Sequence, residues 1–397
     1  MKYTVGLFST YPGYIISRSK IAEIAHIAHR KLGIRMLFLI GTGINGIKGL
    51  SIAAVEILRS CDSVFVEEFT SFISKEQVRE LGLLINRDVD VVQRWFIEDG
   101  REILEKAKNK AVAIVTYGDP LIATTHAELR VRAAKLSIET KVLHSASGIS
   151  ALIGETGLQY YKFGRTVTLM ADPLSALTVY NTVYENLLGG NHSLVLTEYN
   201  RGEEDVPFFL NPEKALATLL DTEQDEKRGI VTPKTFAVIA SRIGSDDQAI
   251  ISGSIALLET RDLGTGPHSI VIPGTIHFVE KESLETLTQC LSEVTDNTAN
   301  VRTIPTAMIE RYAPKAKNAA RQMREHIIKE VDNALKRGIF DVLDNAEYYI
   351  QDAERFLLQR KPELAVLSIG YAEGLIDSLR FQRGMNPWLE ENRKDET

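Results

Sequence analysis

Cysteine is scarce in this sequence, with only Cys61 and Cys290 among 397 residues. Two thiols make neither the disulfide framework of a small secreted domain nor a four-thiolate zinc site, and we predict no metal site elsewhere. The short apolar stretch near the N-terminus is interrupted by Pro12, and no small-residue cleavage site follows it. These features favour a cytoplasmic protein.

Long apolar runs and an excess of positive charge are also missing. No segment approaches the roughly 20 apolar residues that span a bilayer, so no membrane partner is predicted. The net charge of −7 and the pI near 5.7 argue against a protein whose main task is to bind nucleic acid or anionic lipid. The composition is otherwise that of a globular protein, with 44% hydrophobic and 25% charged residues.

Changes in periodicity divide the chain. Strand and helix patterns alternate in two successive series, as in α/β lobes built on parallel sheets, and the remainder is helical throughout. Three helices with short connections predict an antiparallel bundle. Before the first clear strand, residues 19–31 have the spacing of an amphipathic helix. The predicted divisions are an N-terminal extension at 1–35, lobes at 36–144 and 145–290, a linker at 292–302 and a helical domain at 303–388.

Local patterns predict the elements within these divisions. Strands are expected at 36–41, 63–67, 111–115, 141–144, 167–170, 193–197, 235–241 and 269–273. Helices are expected at 49–61, 75–84, 95–109, 174–188 and 212–220, with the charged residues 222–228 as a solvated loop. In the bundle, the first helix is expected to end at Gly338, the second to run over 340–356 and the third to begin at Pro362.

The stretch at 116–130, TYGDPLIATTHAELR, follows a continuous apolar segment that is typical of a strand buried on both faces. Its Gly-Asp-Pro turn places Asp119 at the carboxyl end of that strand, where open α/β sheets bind ligands. Thr125 and Glu128 have the spacing of a capping box, which predicts the start of a helix. The alternative is an ordinary connection in which Asp119 stabilises only its own turn.

Residues 41–46 read GTGING, a literal G-x-G-x-x-G motif. Glu67 and Glu68 lie near the end of the next strand, about where a ribose-binding acid is expected, so the motif alone predicts a dinucleotide site and an oxidoreductase. The context is imperfect, because Gly49 delays the helix that should open at the motif. No hydride-transfer constellation follows, and we place this alternative behind the interpretation below.

Several segments carry a resemblance to a known family. They are 38–43 (FLIGTG), 66–71 (VEEFTS), 118–130 (GDPLIATTHAELR), 156–158 (TGL), 161–164 (YKFG) and 267–274 (PHSIVIPG). In these segments and in their order, the chain resembles the diphthine synthases, class III methyltransferases related to the tetrapyrrole methylases. The resemblance covers 36 to about 285. It implies an α/β, two-lobed tetrapyrrole-methylase-like fold, here followed by a small all-α helical bundle.

The resemblance also implies a reaction and a site. The family transfers methyl groups from S-adenosylmethionine to the amino group of the 3-amino-3-carboxypropyl arm on a histidine of translation elongation factor 2, on the route to diphthamide. Archaeal-type members methylate that amine three times, and the family suggests a homodimer. Carried over by position, the cofactor contacts in the cleft between the lobes fall on Ile44, Asp119, Ile122, Ser147, Gly148, Thr197, Ile243 and His268.

Methyl transfer from a sulfonium to a neutral amine needs no nucleophilic side chain. The sequence offers no Ser-His-Asp or Cys-His constellation, and we assign no catalytic residue. We expect water or a nearby carboxylate to accept the proton of the amine. Glu67, Glu68 and Glu128 are the candidates, although Glu128 is better explained as the capping-box partner of Thr125. Tyr161 and Phe163 are candidates for an aromatic face that receives the growing ammonium group.

Two further alternatives remain. A methyltransferase of the same fold could act on a small molecule such as a corrin precursor, although the TTHAELR string argues against it. The α/β part could also be catalytically idle, with the helical bundle acting as an adaptor. That bundle resembles a small archaeal helical domain of unknown function, and it could dock the elongation factor or the ribosome, or only stabilise an oligomer.

Overall fold

The computed structural model describes residues 35–70, 72–201, 207–328, 333–359 and 361–385. Its contacts divide the chain into two compact units. The first contains the described residues up to Thr222 and from Val231 to Asn297, and the second contains Glu223–Ile230 and the described residues from Thr298 onward. The predicted helix at 19–31, and nearly all of the predicted extension, lie outside the described residues. No helix in the described ranges is long and apolar enough to cross a membrane.

The first lobe is a parallel α/β sheet. Its elements are β1 (Met36–Gly41), α1 (Ile52–Ser60), β2 (Ser63–Glu67), α2 (Lys75–Ile85), β3 (Asp90–Val92), α3 (Arg94–Asp99), α4 (Arg101–Ala107), β4 (Ala111–Thr116), α5 (His126–Lys135) and β5 (Glu139–Leu143). The strand order is β3-β2-β4-β1-β5, and every pairing is parallel. The chain leaves β1 toward one edge of the sheet and β4 toward the other, and such a reversal opens a ligand crevice at the carboxyl ends.

Burial on both faces explains the apolar strands of this lobe. Successive side chains of a strand point to opposite faces. In β1, Phe38 and Ile40 join the core beneath α1 and α2, whereas Leu37 and Leu39 join the core beneath α4 and α5. Every residue of β4 is buried. An alternating polar pattern would leave one of these two cores without apolar side chains.

The second lobe is a mixed sheet. Its elements are α6 (Gly148–Thr156), β6 (Val167–Leu169), α7 (Pro173–Leu188), β7 (Ser193–Thr197), β8 (Tyr199–Arg201), β9 (Pro207–Phe209), α8 (Pro212–Glu226), β10 (Phe236–Ser241), β11 (Ala249–Ser254), α9 (Ile255–Leu258), β12 (His268–Ile272), α10 (Phe278–Leu287) and β13 (Gln289–Cys290). The strand order is β13-β11-β10-β12-β7-β6, and β8 pairs with β9 separately. Because β12 is antiparallel to both neighbours, it begins where β7 and β10 end.

The second unit contains a helical bundle made of α11 (Ile304–Ile328), α12 (Asn333–Leu358) and α13 (Pro362–Phe381). Lys317 pairs with Glu354 at 2.7 Å, and Arg324 pairs with Glu347 at 3.0 Å. Since residue numbers rise along α11 while those of their partners fall along α12, these two helices are antiparallel. Its buried core includes Met323, Leu343, Ile350, Ile369 and Ile376.

Three element predictions were wrong. Gly338 lies inside α12, because a glycine costs only about 1 kcal/mol in a helix interior and the buried apolar face of α12 continues on its C-terminal side. The predicted loop at 222–228 begins as the last turn of α8, where the Glu223 carboxylate accepts hydrogen bonds from the amides of Gly229 and Ile230. The predicted helix at 95–109 is two helices, separated by Gly100 with φ of +57°.

Five strands were missed. Four of them, β3, β8, β9 and β13, have only two or three residues, too few for a periodic signal. The fifth, β11, is six residues long and antiparallel to β10, but Gly253 and three serines or alanines weaken its apolar alternation. Short edge pairings therefore account for most of the missing structure.

A buried charge network fixes the edge of the second lobe where β7 begins. The Glu280 side chain is fully buried, and its carboxylate pairs with Lys162, accepts from His192 Nε2 at 2.9 Å and accepts from two backbone amides. His192 Nδ1 accepts from the amide of Gly274 at 3.0 Å, so Nε2 carries the proton that it donates. Burial alone would raise the pKa of Glu280, but Lys162 and the other donors lower it to about 2.

We predict that Glu280→Gln lowers the melting temperature, most strongly near neutral pH. A carboxyl group whose pKa is depressed in the folded state stabilises the fold above its ordinary pKa of 4.5, and this contribution is lost as the pH falls toward about 2. Thermal denaturation of both proteins between pH 7 and pH 3 should show the difference shrinking below pH 4.5. A difference that stays constant with pH would contradict the ionised network.

Candidate functional site

The loops that follow β1 and β4 are joined directly at the carboxyl edge of the first sheet. The Gly43 amide donates to Gly118 O and the Gly118 amide donates to Gly43 O, both at 3.1 Å. A Cβ on Gly41 would lie 2.3 Å from Gly118 O, and Gly118 itself has φ of +77°. The glycines of the G-x-G motif therefore allow two loops to approach each other closely.

Asp119 connects this pair of loops to a third loop, which follows β5. Its carboxylate accepts from the amide of Leu121 at 2.9 Å, within its own turn. The other oxygen accepts from the amide of Ser145 at 3.1 Å and lies 2.8 Å from His144 Nδ1. Asp119 is only 4% exposed. Its carboxylate thus stabilises its own turn and also braces the three loops against one another.

The other predicted contacts of the first lobe lie on these three loops. Ser147 begins α6, and its hydroxyl accepts from the amide of Ile149 at 3.2 Å. Gly148 is exposed, and a Cβ built there would meet no atom within 4 Å. Ile122 is 45% exposed, and Ile44, whose carbonyl accepts from Tyr117, is half-buried. The structure therefore brings these four positions and Asp119 to one edge.

The remaining three predicted contacts lie together at one edge of the second sheet. Thr197 ends β7 and donates through Oγ1 to His268 O at 2.8 Å. His268 begins β12, and its Nδ1 lies 2.8 Å from Ser241 Oγ. Ile243 follows β10 closely and is half-buried against the core of this lobe. Burial, with Arg242 nearby, lowers the pKa of His268 to about 4, so its ring is neutral at pH 7.

Contacts between the lobes place the two edges face to face. A Cβ on Gly244 would lie 2.5 Å from Ile44 Cγ1, so the loop after β10 packs on the loop after β1. The Tyr199 hydroxyl donates to Glu68 O at 2.8 Å, and Arg201 pairs with the Glu68 carboxylate. Partly exposed isoleucines beside hydroxyl and amide groups commonly line small-molecule sites. This mixed lining fits S-adenosylmethionine, which has both apolar and polar parts.

A buried polar cluster on the same edge consists of Glu67, Thr116 and His126, all with fully buried side chains. The sequence indicated Glu67 as a candidate proton acceptor, but Thr116 and His126 were not predicted as site residues. His126 Nδ1 lies 2.9 Å from Pro120 O and therefore donates to it, because a carbonyl only accepts. Thr116 Oγ1 lies 3.5 Å from the same nitrogen and also faces the Glu67 carboxyl. The TTHAELR string, which carries part of the family resemblance, contains His126 and could have indicated it as a site residue.

The Thr125–Glu128 capping box is not formed. Thr125 is the N-cap residue that precedes α5, with φ of −94° and ψ of 0°, and its side chain makes no capping hydrogen bond. An N-cap side chain usually reaches the helix from an extended backbone conformation, which Thr125 does not have. His126 instead stabilises this end of the loop through Pro120 O, and Glu128 is exposed.

Glu67 ends β2, and one carboxyl oxygen accepts from the amides of Phe69 at 3.1 Å and Thr70 at 3.0 Å. Among the described residues, its other oxygen has no hydrogen-bond partner. Burial raises the pKa of Glu67, although these amides and nearby hydroxyls act in the opposite direction. In the described ranges, no group of three or more His, Cys, Asp or Glu side chains is arranged to hold a metal.

The YKFG segment lies at the other end of the second sheet. Lys162 pairs with Glu280, the Phe163 ring packs 5.3 Å from the His192 ring, and Tyr161 is 79% exposed. A Cβ on Gly164 would lie 2.1 Å from Asn186 Oδ1. These residues surround the start of β7, whereas Thr197 is at its end. The segment therefore holds the lobe together and does not supply an aromatic face at the predicted cofactor edge.

Comparison with known proteins gives two families. Residues 36–259 match the tetrapyrrole (corrin/porphyrin) methylases, and residues 311–385 match a family of proteins of unknown function, DUF357. A diphthine synthase from Methanothermobacter thermautotrophicus is 35% identical over 251 residues, 63% of this chain and 94% of that protein. A diphthine methyl ester synthase from Schizosaccharomyces pombe is 34% identical over 267 residues, 63% of this chain and 93% of that protein.

Solved structures agree with these matches. A crystal structure of diphthine synthase aligns with a TM-score of 0.56 at 26% identity and covers 64% of this chain and 97% of that chain. A conserved hypothetical protein from Aeropyrum pernix K1 aligns with a TM-score of 0.59 at 26% identity, over 70% of this chain and 96% of that chain. The predicted two-lobed α/β fold with an additional helical region is confirmed.

We predict that His126→Ala weakens S-adenosylmethionine binding about tenfold, whereas His126→Asn largely preserves it. Alanine removes the donor that holds Pro120 O, and with it the loop that carries Asp119 and Ile122. The side-chain amide of asparagine can place a donor near the position of Nδ1, and one lost hydrogen bond of about 1.4 kcal/mol corresponds to a factor of ten. Calorimetric titration measures both affinities, and equal weakening in the two variants would contradict this role.

We predict that Glu67→Gln becomes increasingly stabilising, relative to glutamate, as the pH rises above 4.5. A carboxyl group whose pKa is raised by folding binds its proton more tightly in the folded state, so stability falls as the pH rises through the ordinary pKa. Glutamine keeps an acceptor for the amides of Phe69 and Thr70 and has no proton to lose. Melting temperatures from pH 4 to pH 8 give the comparison; a growing advantage for glutamate would show that Glu67 is ionised in the fold.

Proposed function

The chain belongs to the tetrapyrrole (corrin/porphyrin) methylase family and groups there with the diphthine synthases; from this premise we propose that it methylates the modified histidine of translation elongation factor 2. The methyl donor is S-adenosylmethionine. The acceptor is the amino group of the 3-amino-3-carboxypropyl arm. The reaction is a step on the route to diphthamide.

One observation supports this proposal above the others. The positions at which the resemblance expects cofactor contacts are far apart in the sequence, from Ile44 to His268, yet they lie on only two sheet edges that face each other. Those edges are the carboxyl ends of β1, β4 and β5 and the β7–β12–β10 end of the second sheet. A chance resemblance would scatter such positions over both ends of the sheets.

The chain's own residues do the work of binding and orientation. Asp119 and His126 hold the loop after β4, Ser147 fixes the start of α6, and the isoleucines Ile44 and Ile122 provide apolar contact surface. When bound, S-adenosylmethionine supplies the reactive methyl group, and the protein excludes water and aligns the amine for in-line attack. The acceptor amine must first lose a proton, to water or to a carboxylate. Glu67 lies at the same edge, but it can accept a proton only in its ionised form, which burial disfavours.

The relatives differ in the product that their names state. One is named a diphthine synthase and another a diphthine methyl ester synthase, at nearly equal identity to this chain. We propose the amine as the acceptor, as in the archaeal-type members. The homodimer expected from the resemblance and the absence of membrane and nucleic-acid partners stay predictions, and sedimentation velocity tests the first.

We predict that the purified chain adds three methyl groups to elongation factor 2 that carries the unmethylated arm. Intact mass spectrometry after incubation with S-adenosylmethionine counts the transfers, and fragmentation locates them on the amine or the carboxylate. A fourth, base-labile methyl group would identify an ester-forming enzyme. No transfer, with cofactor binding intact, would contradict the assigned substrate and favour a small-molecule acceptor.

A further inference from the structure

Glu68 makes three contacts at the junction of the two lobes, and the cofactor positions expected from the resemblance do not include it. Its carboxylate accepts from Gln93 Nε2 at 2.7 Å and pairs with Arg201. Its backbone carbonyl accepts from the Tyr199 hydroxyl at 2.8 Å. Glu68 and Gln93 belong to the first lobe, at the ends of β2 and β3, whereas Tyr199 and Arg201 form β8 of the second lobe. One residue thus contacts both lobes through its side chain and its backbone.

The two halves of the predicted cofactor site depend on this junction, because neither lobe contains all of the positions. Thr197 ends β7 only two residues before Tyr199, so a contact at Tyr199 fixes the edge on which Thr197 and His268 lie. On the other side, Glu68 directly follows β2, whose neighbour β4 leads into the loop of Asp119. Glu68 therefore links a segment next to one edge of the predicted site with a segment next to the other edge.

We infer that Glu68 is a positioning residue that holds the β7–β12 edge of the second lobe at the spacing S-adenosylmethionine requires against the first lobe. This inference rests on the proposed function, since it assigns Glu68 a role in that cofactor site. Glu68 acts through Tyr199 and Arg201. Because Gln93 and Arg201 hold its carboxylate, we assign it this positioning role in place of the proton-accepting role for which it was a candidate. Loss of the Glu68 contacts leaves each lobe folded, but the position of one lobe relative to the other is less well fixed.

The Glu68 contacts are partly shielded from water, and neighbouring side chains hold them in place. The Arg201 side chain is 22% exposed and that of Glu68 is 10% exposed, so water screens their attraction much less than it screens an exposed pair. Gln93 orients the carboxylate from within the first lobe. Burial, with the charge of Glu67 nearby, raises the pKa of Tyr199 to about 12, so its hydroxyl remains a donor at neutral and moderately alkaline pH. The Tyr199 ring stacks on Phe209 at 5.1 Å, which limits its rotation.

The test compares Glu68→Gln, Arg201→Gln and the double variant with wild type. Each single change removes the Glu68–Arg201 ion pair and keeps one of its two charges, whereas the double change removes both charges and keeps side chains that can hydrogen-bond. Tyr199→Phe removes only the hydroxyl and keeps the stacked ring. The matched control is Glu105→Gln, which breaks an exposed ion pair with Lys108 elsewhere in the first lobe.

Calorimetric titration with S-adenosylmethionine should give a dissociation constant about tenfold higher for each single variant than for wild type. In the double variant, the fold-increase of the dissociation constant should be smaller than the product of the two single fold-increases, because both changes remove the same ion pair. Hydrogen exchange without cofactor should be faster in β8 and in the loop after β2, with the cores of both sheets unchanged. Unchanged exchange and unchanged affinity in Glu68→Gln and Arg201→Gln would overturn the inference, as would an equal effect of Glu105→Gln.

The same measurements separate this inference from the proposed function. If wild type binds no S-adenosylmethionine, the proposed function fails, and faster exchange confined to β8 and the loop after β2 would still show that Glu68 joins the lobes. If wild type binds the cofactor but the variants bind it equally well, the positioning role alone is excluded. Uniformly faster exchange throughout both lobes would make Glu68 a general stability residue and would also overturn the inference.

Discussion

The hydrogen bonds of the Asp119 carboxylate decide the shape of the candidate site. One oxygen closes the turn at Leu121, and the other accepts from Ser145 and contacts His144 on a different loop. A buried carboxylate that accepts several donors is well stabilised, and replacing it would leave backbone amides without partners. The close approach at Gly41 and Gly118 and the helix start at Ser147 lie on the same loops that Asp119 joins.

Much of the architecture could be predicted because burial and sequence period are directly linked. A strand buried on both faces, such as β4, must be apolar throughout, and β1, β2 and β7 were predicted with their observed bounds for the same reason. The Gly338 helix end and the 222–228 loop were wrong because local signals compete with tertiary packing. Helix propensity is a weak preference that a buried face such as that of α12 overrides.

The candidate site could be predicted only in part from the sequence. The resemblance supplied positions, but the partners of a side chain depend on long-range contacts. Nothing local indicates that Asp119 accepts from Ser145, or that His126 donates to Pro120 O. Tyr161 and Phe163 of the YKFG segment were candidates for an aromatic face toward the substrate, yet their neighbour Lys162 belongs to the Glu280 network at the far end of the sheet. A shared motif can thus mark a fold constraint as readily as a binding site.

We propose that the loops braced by Asp119 and the facing edge of the second lobe form one site for S-adenosylmethionine. Calorimetric titration of wild type and Asp119→Asn tests it most directly. We predict one cofactor per chain and an affinity about tenfold lower in the variant, whose amide group would face backbone donors. No binding to wild type, or equal affinity in a folded Asp119→Asn variant, would contradict it.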